Sequence, residues 1–149
     1  MSDYITFKDV VNSFRDFASE HEQINDFGFG DISDINVGEH LYPMIWLNPV
    51  NSDKNGVHTT LRFDMYVLDI IEQDKTNLLD VMNDTLIIGN DCVSNFWMDS
   101  EELLGFELNE EAVSLTPFEG KFDSLLGSWI FNIEIDMKIT LNKCAIPVQ

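Results

Sequence analysis

Residues 115–140, LTPFEGKFDSLLGSWIFNIEIDMKIT, decide the fold of this chain. From Trp129 onward the side chains alternate. Trp129, Phe131, Ile133, Ile135, Met137 and Ile139 share one parity, and Ile130, Asn132, Glu134, Asp136, Lys138 and Thr140 share the other. Successive side chains of a strand point to opposite faces, so the pattern predicts a strand with one buried and one polar face. Its twelve residues, Trp129 to Thr140, are about twice the usual strand length. A strand around Val113 to Phe118 and a turn region at Glu119 to Gly127 precede it, which makes the pair a hairpin. Because that partner is shorter, part of the long strand is expected to lack a neighbour in its own chain and to offer its edge to another.

Working back towards the N-terminus, TFKDVVNSFRDFASEH places Phe7, Val10, Val11, Phe14 and Phe17 at three- and four-residue spacings. With Thr6 as N-cap and Asp9 three residues later, this predicts an amphipathic helix of about four turns. NDFGFGDISDINVGEH, with three glycines among Asn and Asp, reads as a loop. LYPMIWL then reads as a strand that Pro43 confines to an edge or a strand start. NPVNSDKNG is turn chemistry. In VHTTLRFDMYVLDII, Leu61, Phe63, Met65 and Val67 face one way and Thr60, Arg62, Asp64 and Tyr66 the other, completing a second hairpin. Helical spacing returns through Leu78, Leu79, Met82, Leu86, Val93 and Phe96, with a break expected near Gly89.

The order is helix, hairpin, helix, hairpin. The predicted fold is α+β, an antiparallel sheet of about four or five strands with two helices packed on one face, because that arrangement buries every apolar stripe. Leu61, Phe63, Met65, Leu78, Met82, Trp129, Phe131, Ile133 and Ile135 are its expected core. A chain of 149 residues suits one domain spanning 1–149.

With 27 acidic against 8 basic residues, the formal charge is -19. Such a surface repels phosphates and anionic membranes, which argues against nucleic-acid recognition. The 44% hydrophobic content separates the chain from acidic disordered sequences. No apolar run approaches the ~18 residues of a membrane span, and MSDYITFKDVV lacks the basic and apolar regions of a secretory signal. Cys92 and Cys144, far apart and without a C-x-x-C partner, are expected to be reduced thiols of a cytoplasmically made protein.

Catalytic and metal signatures are not found. NSDKNG begins like a calcium loop, with Asn51, Asp53, Asn55 and Gly56 in the right places, but Arg62 occupies the position of the bidentate glutamate. A turn accounts for it better. His21, His40 and His58 are scattered and assigned to polar surface. Gly28 and Gly30 lack the rest of a phosphate-binding loop, and Ser128 after Gly127 is not a nucleophile elbow. Acid pairs such as Glu101 and Glu102, Glu110 and Glu111, or Glu134 and Asp136 arise by chance among so many acids. Trp46, Trp97 and Trp129 are assigned to the core, since base-stacking platforms need basic neighbours. No catalytic residue, cofactor or metal ligand is therefore assigned.

The segment order, with HTTLRFDMYVLDI feeding NLLDVMNDTLIIGNDCVSNF and then the final hairpin through KCAIP, resembles small virion proteins of tailed bacteriophages of gut Bacteroides hosts, including crAss-like phages. The resemblance spans roughly residues 5–147 and is to the tail-terminator or head-to-tail connector group. It implies a tail-terminator-like fold and a non-enzymatic structural subunit of a neck or tail ring joining portal to tail. It further implies a sixfold or twelvefold homo-oligomer, contacts with other phage portal, neck and tail proteins, and a place in the virion after assembly in the host bacterial cytoplasm. DNA would pass an acidic lumen without specific binding, and no membrane would be involved. The candidate subunit interface comprises Asn51, Asp53 and Asn55 of the first hairpin with Glu134, Asp136 and Lys138 on the polar face of the long strand. A small acidic cytosolic binding module, of anti-defence or DNA-mimic type, is the alternative from a different class.

Overall fold

A computed structural model describes residues 5–98, 105–121 and 125–138. Cys144, Glu101, Glu102 and the strand positions Ile139 and Thr140 lie outside the described residues. Two helices, α1 (Phe7–Glu20) and α2 (Leu78–Met98), accompany six strands: β1 (Asp26–Phe29), β2 (Met44–Asn55), β3 (His58–Ile70), β4 (Phe106–Leu108), β5 (Ser114–Lys121) and β6 (Leu125–Lys138). The fold is α+β, with the strands in one open sheet of order β1-β2-β3-β6-β4, where β5 also pairs with β6.

The sheet is mixed, not antiparallel. β1 runs parallel to β2, Asp26 opposite Met44 through Phe29 opposite Leu47, and lies in the stretch expected to be a loop. Its pairing depends on Gly28, where a Cβ would stand 2.3 Å from the Trp46 ring. β4 adds a further strand from a segment with too few residues to show alternation.

The long strand is also better paired than its length suggests. β3 runs along one edge, Ile70 opposite Leu126 through His58 opposite Lys138. On the other edge β5 pairs with Leu125–Asn132 and β4 with Ile135–Met137. Between them the Asn109 N–H donates to the Glu134 carbonyl at 2.9 Å. The expected free edge on β6 therefore does not exist over these residues: two short strands divide the work of one long partner.

α1 starts as its sequence predicts. Thr6 Oγ1 accepts from the Asp9 N–H at 3.1 Å, and Asp9 Oδ2 accepts from the Thr6 N–H at 2.9 Å. This reciprocal capping box satisfies two N–H groups at the helix start, and the bond from the Thr6 backbone holds the Asp9 carboxyl below its ordinary range. Val10, Val11, Phe14 and Ala18 are buried against the sheet.

α2 runs unbroken through Gly89 and turns a different face inward from the one expected. Val81, Thr85, Ile88, Cys92 and Phe96 are buried; Leu78, Met82, Leu86 and Val93 are only half-buried, and Leu79 is exposed. Gly89 sits over Phe131, whose ring leaves no room for a Cβ: its nearest carbon would be 2.1 Å away. The glycine is a notch for an aromatic ring, not a helix breaker.

Both helices cover one face, where Ile45, Leu47, Leu61, Phe63, Met65, Val67, Phe131, Ile133, Ile135 and Met137 meet α1 and α2. Trp129 is partly buried at its margin, its Nε1–H donating to the Met82 carbonyl at 2.9 Å. Half of the opposite face carries a second core. Met44, Trp46, Tyr66, Leu68 and Leu126 pack there with Ile35, which follows the 3-10 turn Ile32–Asp34, and Val37, which opens the 3-10 turn Val37–Glu39. Tyr66, expected on a polar face, is buried for this reason. Cys92 is fully buried, which pushes its thiol well above the ordinary range and keeps it unreactive.

The Gly89–Phe131 contact makes a sharp expectation. Alanine in a helix interior is normally favoured over glycine by about 1 kcal/mol, yet Gly89→Ala is expected to destabilise, because overpacking a closed core costs about 1–3 kcal/mol and here strikes a fully buried ring. Phe131→Leu in the same chain should recover part of the loss. Urea titration of the two single variants and the double variant measures this coupling; additive effects would contradict the packing described.

Candidate functional site

β2 outruns its neighbour. β1 covers Met44–Leu47 only, so the strand from Pro49 to Asn55 is paired with β3 alone. The residues expected to form a turn are thus mostly strand, held by register to β3, and the real turn is Gly56–Val57, where Gly56 has φ +62°. A β-bulge falls between Pro49 and Asn51, opposite Phe63 and Arg62.

Backbone direction along this edge follows from one bond. The Leu47 carbonyl accepts from the Gly30 N–H at 3.1 Å, so Leu47 points its polar groups outward, away from β3. Alternation puts Pro49 on the same side, where its missing N–H costs nothing. The bulge shifts the phase by one, which turns the N–H and C=O groups of Ser52 and Lys54 outward. Among the described residues no strand pairs with them. Beside this edge, on the helix-covered side, lies a groove of about 210 Å³ that Phe7, Pro49, Val50, Ser52, Leu61 and Phe63 help to line. Phe7 stacks on Phe63 with ring centres 5.8 Å apart and meets Phe29 edge-on at 5.9 Å. Exposed main chain next to a shallow apolar groove is the combination that accepts an added strand.

The other side of the same strands is polar. Three directly opposed β3–β6 pairs form a ladder: Thr60 donates to Asp136 at 2.6 Å, Arg62 Nε to Glu134 at 3.1 Å, and Asn132 to Asp64. Arg62 Nη1 also reaches Asp53 at 2.6 Å and Asn51 at 2.9 Å. Its bonds to Asp53 and then to Glu134 raise the guanidinium further above its ordinary range. Glu107, opposite Asp136 on β4, extends the row of acids.

Of the sequence-predicted interface residues, Asn51, Asp53 and Glu134 are therefore brought together, on Arg62. Asp136 lies one pair away in the ladder. Asn55 closes the hairpin opposite His58, and Lys138 pairs with His58 from the other side. The open main chain of Ser52 and Lys54, and the groove under Phe7 and Val50, were not among the predicted residues.

Two of the three histidines lie against carboxylates. His21 Nε2 lies 3.0 Å from Asp91, joining α1 to α2, and His40 Nδ1 lies 2.9 Å from Asp26. Burial would raise Asp26, but His40 and the N–H groups of Phe27 and Leu41 hold it below the ordinary carboxylate range. A cleft of about 460 Å³ between α1 and β1 is lined in part by Arg15, Asp26 and Phe27, with the Arg15 guanidinium 5.4 Å from the Phe27 ring centre. Among the described residues no cluster of three or more His, Cys, Asp or Glu is placed to hold a metal, and no helix is long and apolar enough to cross a membrane.

Compared with known families and curated proteins, the chain matches no family model and no curated sequence.

Two outcomes are expected from these electrostatics. Arg62→Gln leaves Asp53, Glu134 and Asn51 without their shared cation, so amide exchange at the hairpin tip should quicken while the α2 core stays protected. Unchanged tip exchange would show that Arg62 does not hold the arm. Asp69 has the opposite sign: burial, then the charge of Asp84, raises its carboxyl above the ordinary 3.8 despite a bond from the Ile70 N–H. A carboxyl raised by folding costs stability when ionised and stops costing it as pH falls below the unfolded value. Asp69→Asn should therefore be more stable than wild type at neutral pH, with the advantage vanishing below about pH 3.8 in parallel urea titrations.

Proposed function

We propose that this protein is a non-enzymatic structural subunit that joins copies of itself edge to edge, forming a neck or tail ring between portal and tail of a tailed phage. The open edge of β2 over Pro49–Asn55, with an apolar groove beside it, is the observation that carries this reading. A strand added there bonds to main chain and needs few particular side chains. If its donor is a different edge of the next subunit, the contact is head-to-tail, and such contacts close into rings.

The sheet's two faces then have different destinations. Helices occupy one face, so a sheet continued around a ring turns that bulkier layer outward and the opposite face, with its uncovered polar ladder, towards the axis. Asp64, Glu107, Glu134 and Asp136 would line the passage with Arg62 as the cation among them. Such a wall repels DNA, so a packaged duplex slides past without being held. The acidic face also favours a second reading, a monomeric binding module that presents carboxylates to a basic partner.

Replacing Ser52 by proline removes an outward N–H without touching the β2–β3 ladder. The expected outcome is that wild-type chain is found in purified virions in several copies, whereas Ser52→Pro folds with the same circular dichroism but fails to incorporate. Wild-type protein found only in infected-cell lysate, as a monomer, would sink the ring and favour the binding module.

A further inference from the structure

We propose that the outer face of α2 is a docking site for an amphipathic helix of another protein, one whose apolar stripe is flanked by lysine or arginine. A helix at the surface normally shows one apolar stripe and a polar remainder. α2 has apolar residues on both sides. Its inward face is already filled by Val81, Thr85, Ile88, Cys92 and Phe96. On the opposite side Leu79 is 81% exposed, Ile87 47% and Trp97 58%, with half-buried Leu86 between them.

The 3.6-residue repeat puts Leu79, Leu86, Asn90 and Trp97 on one line. From Leu79 to Trp97 this stripe runs about 27 Å at 1.5 Å per residue, long enough to seat five turns of a partner helix. Its polar members, Asn83, Asn90 and Ser94, are uncharged. In a chain with 27 acids an uncharged strip of this length, with Leu79, Ile87 and Trp97 exposed along it, is a local exception.

Charge decides what covers it. Asp80, Asp84 and Asp91 all project from the same flank of the stripe, beyond Ile87, and α2 carries no lysine or arginine. Asp91 is shared with His21 at the C-cap of α1; among the described residues the Asp84 side chain accepts only a long bond from Asn83, at 3.4 Å. A partner with a cationic flank complements this edge while its apolar residues cover Leu79, Ile87 and Trp97, the arrangement by which helices choose partners through flanking charges. A second copy is the wrong occupant. Antiparallel pairing of two α2 helices about a twofold axis sets both acidic flanks on the same side, and α1 offers only Lys8 and Arg15 as cations.

The site is on the helix layer, away from the β2 edge, so it stands whether or not the ring forms. The test uses full-length protein and two synthetic helical peptides with the same leucine stripe, one flanked by lysine and the other by glutamate. At an ionic strength of about 0.15 M, where surface attraction is already screened beyond ~8 Å, the lysine peptide should bind and slow amide exchange within 78–97. Leu79→Ser with Ile87→Ser should weaken binding at least tenfold without altering net charge; Asp80→Asn with Asp84→Asn, which removes two negative charges and leaves the apolar residues in place, should weaken it as much; Ser52→Pro should leave it unchanged. Equal binding of both peptides, protection on the polar ladder in place of α2, or self-association of the chain through α2 would each overturn the proposal.

Discussion

The antiparallel pairing of β3 with β6, unbroken from Ile70 opposite Leu126 to His58 opposite Lys138, is the constraint on which the other elements depend. It fixes which side chains face the helices, because a shift of one residue would move every apolar residue of a strand to the other side. Phe63 opposite Ile133 and Met65 opposite Phe131 build the floor on which α1 and α2 rest. The same register sets Arg62 opposite Glu134 and Thr60 opposite Asp136 on the reverse. Core and polar ladder are thus two consequences of one alignment.

That alignment also explains how a strongly acidic chain tolerates so many carboxylates on one sheet face. Opposed like charges destabilise a sheet. Across β3–β6 each acid faces a donor, Asp136 a hydroxyl, Asp64 an amide and Glu134 a guanidinium, and like charges stand opposed at the sheet's edge, where Glu107 of β4 meets Asp136. The lower half of that face escapes the problem by burial under Tyr42, Val37 and Ile35, with Trp46 Nε1 donating to the Gly30 carbonyl at 2.9 Å. Pairs this exposed contribute little stability individually; their role is to make a charged surface compatible with a regular sheet.

Much of this fold was legible in the sequence where the periodic signal is strong. The alternation of β3 and β6 and the capped, amphipathic α1 are local patterns, and local patterns survive without knowledge of partners. Glycine misled twice for the same reason. Gly28 and Gly30 suggested a loop and Gly89 a break, but Gly28 accommodates the Trp46 ring and Gly89 the Phe131 ring. Small residues beside large rings are a property of two segments at once, invisible in either alone. Likewise the outer half of β2 carries turn residues that tertiary pairing overrides, and β1 and β4 are too short to declare themselves. At the candidate site, Asn51, Asp53 and Glu134 were each visible as polar surface; their meeting on Arg62 required the register. The face that α2 buries is not legible in its spacing, because the helix has more apolar residues than one face can hold.

Among the described residues, the strand at the centre of this sheet, β6, is the last to leave the ribosome. β3 must wait with one edge bare while α2, β4 and β5 are synthesised, and its partners lie 56 residues (Ile70 to Leu126) to 80 residues (His58 to Lys138) further along the chain. Contacts so distant in sequence slow folding, and a waiting strand rich in Phe63, Met65 and Val67 is a target for mispairing. The nascent chain therefore passes through a period in which its best-formed hairpin is also its most adhesive part. The surplus of negative charge, already present in the emerging segments, keeps neighbouring nascent chains apart until β6 arrives.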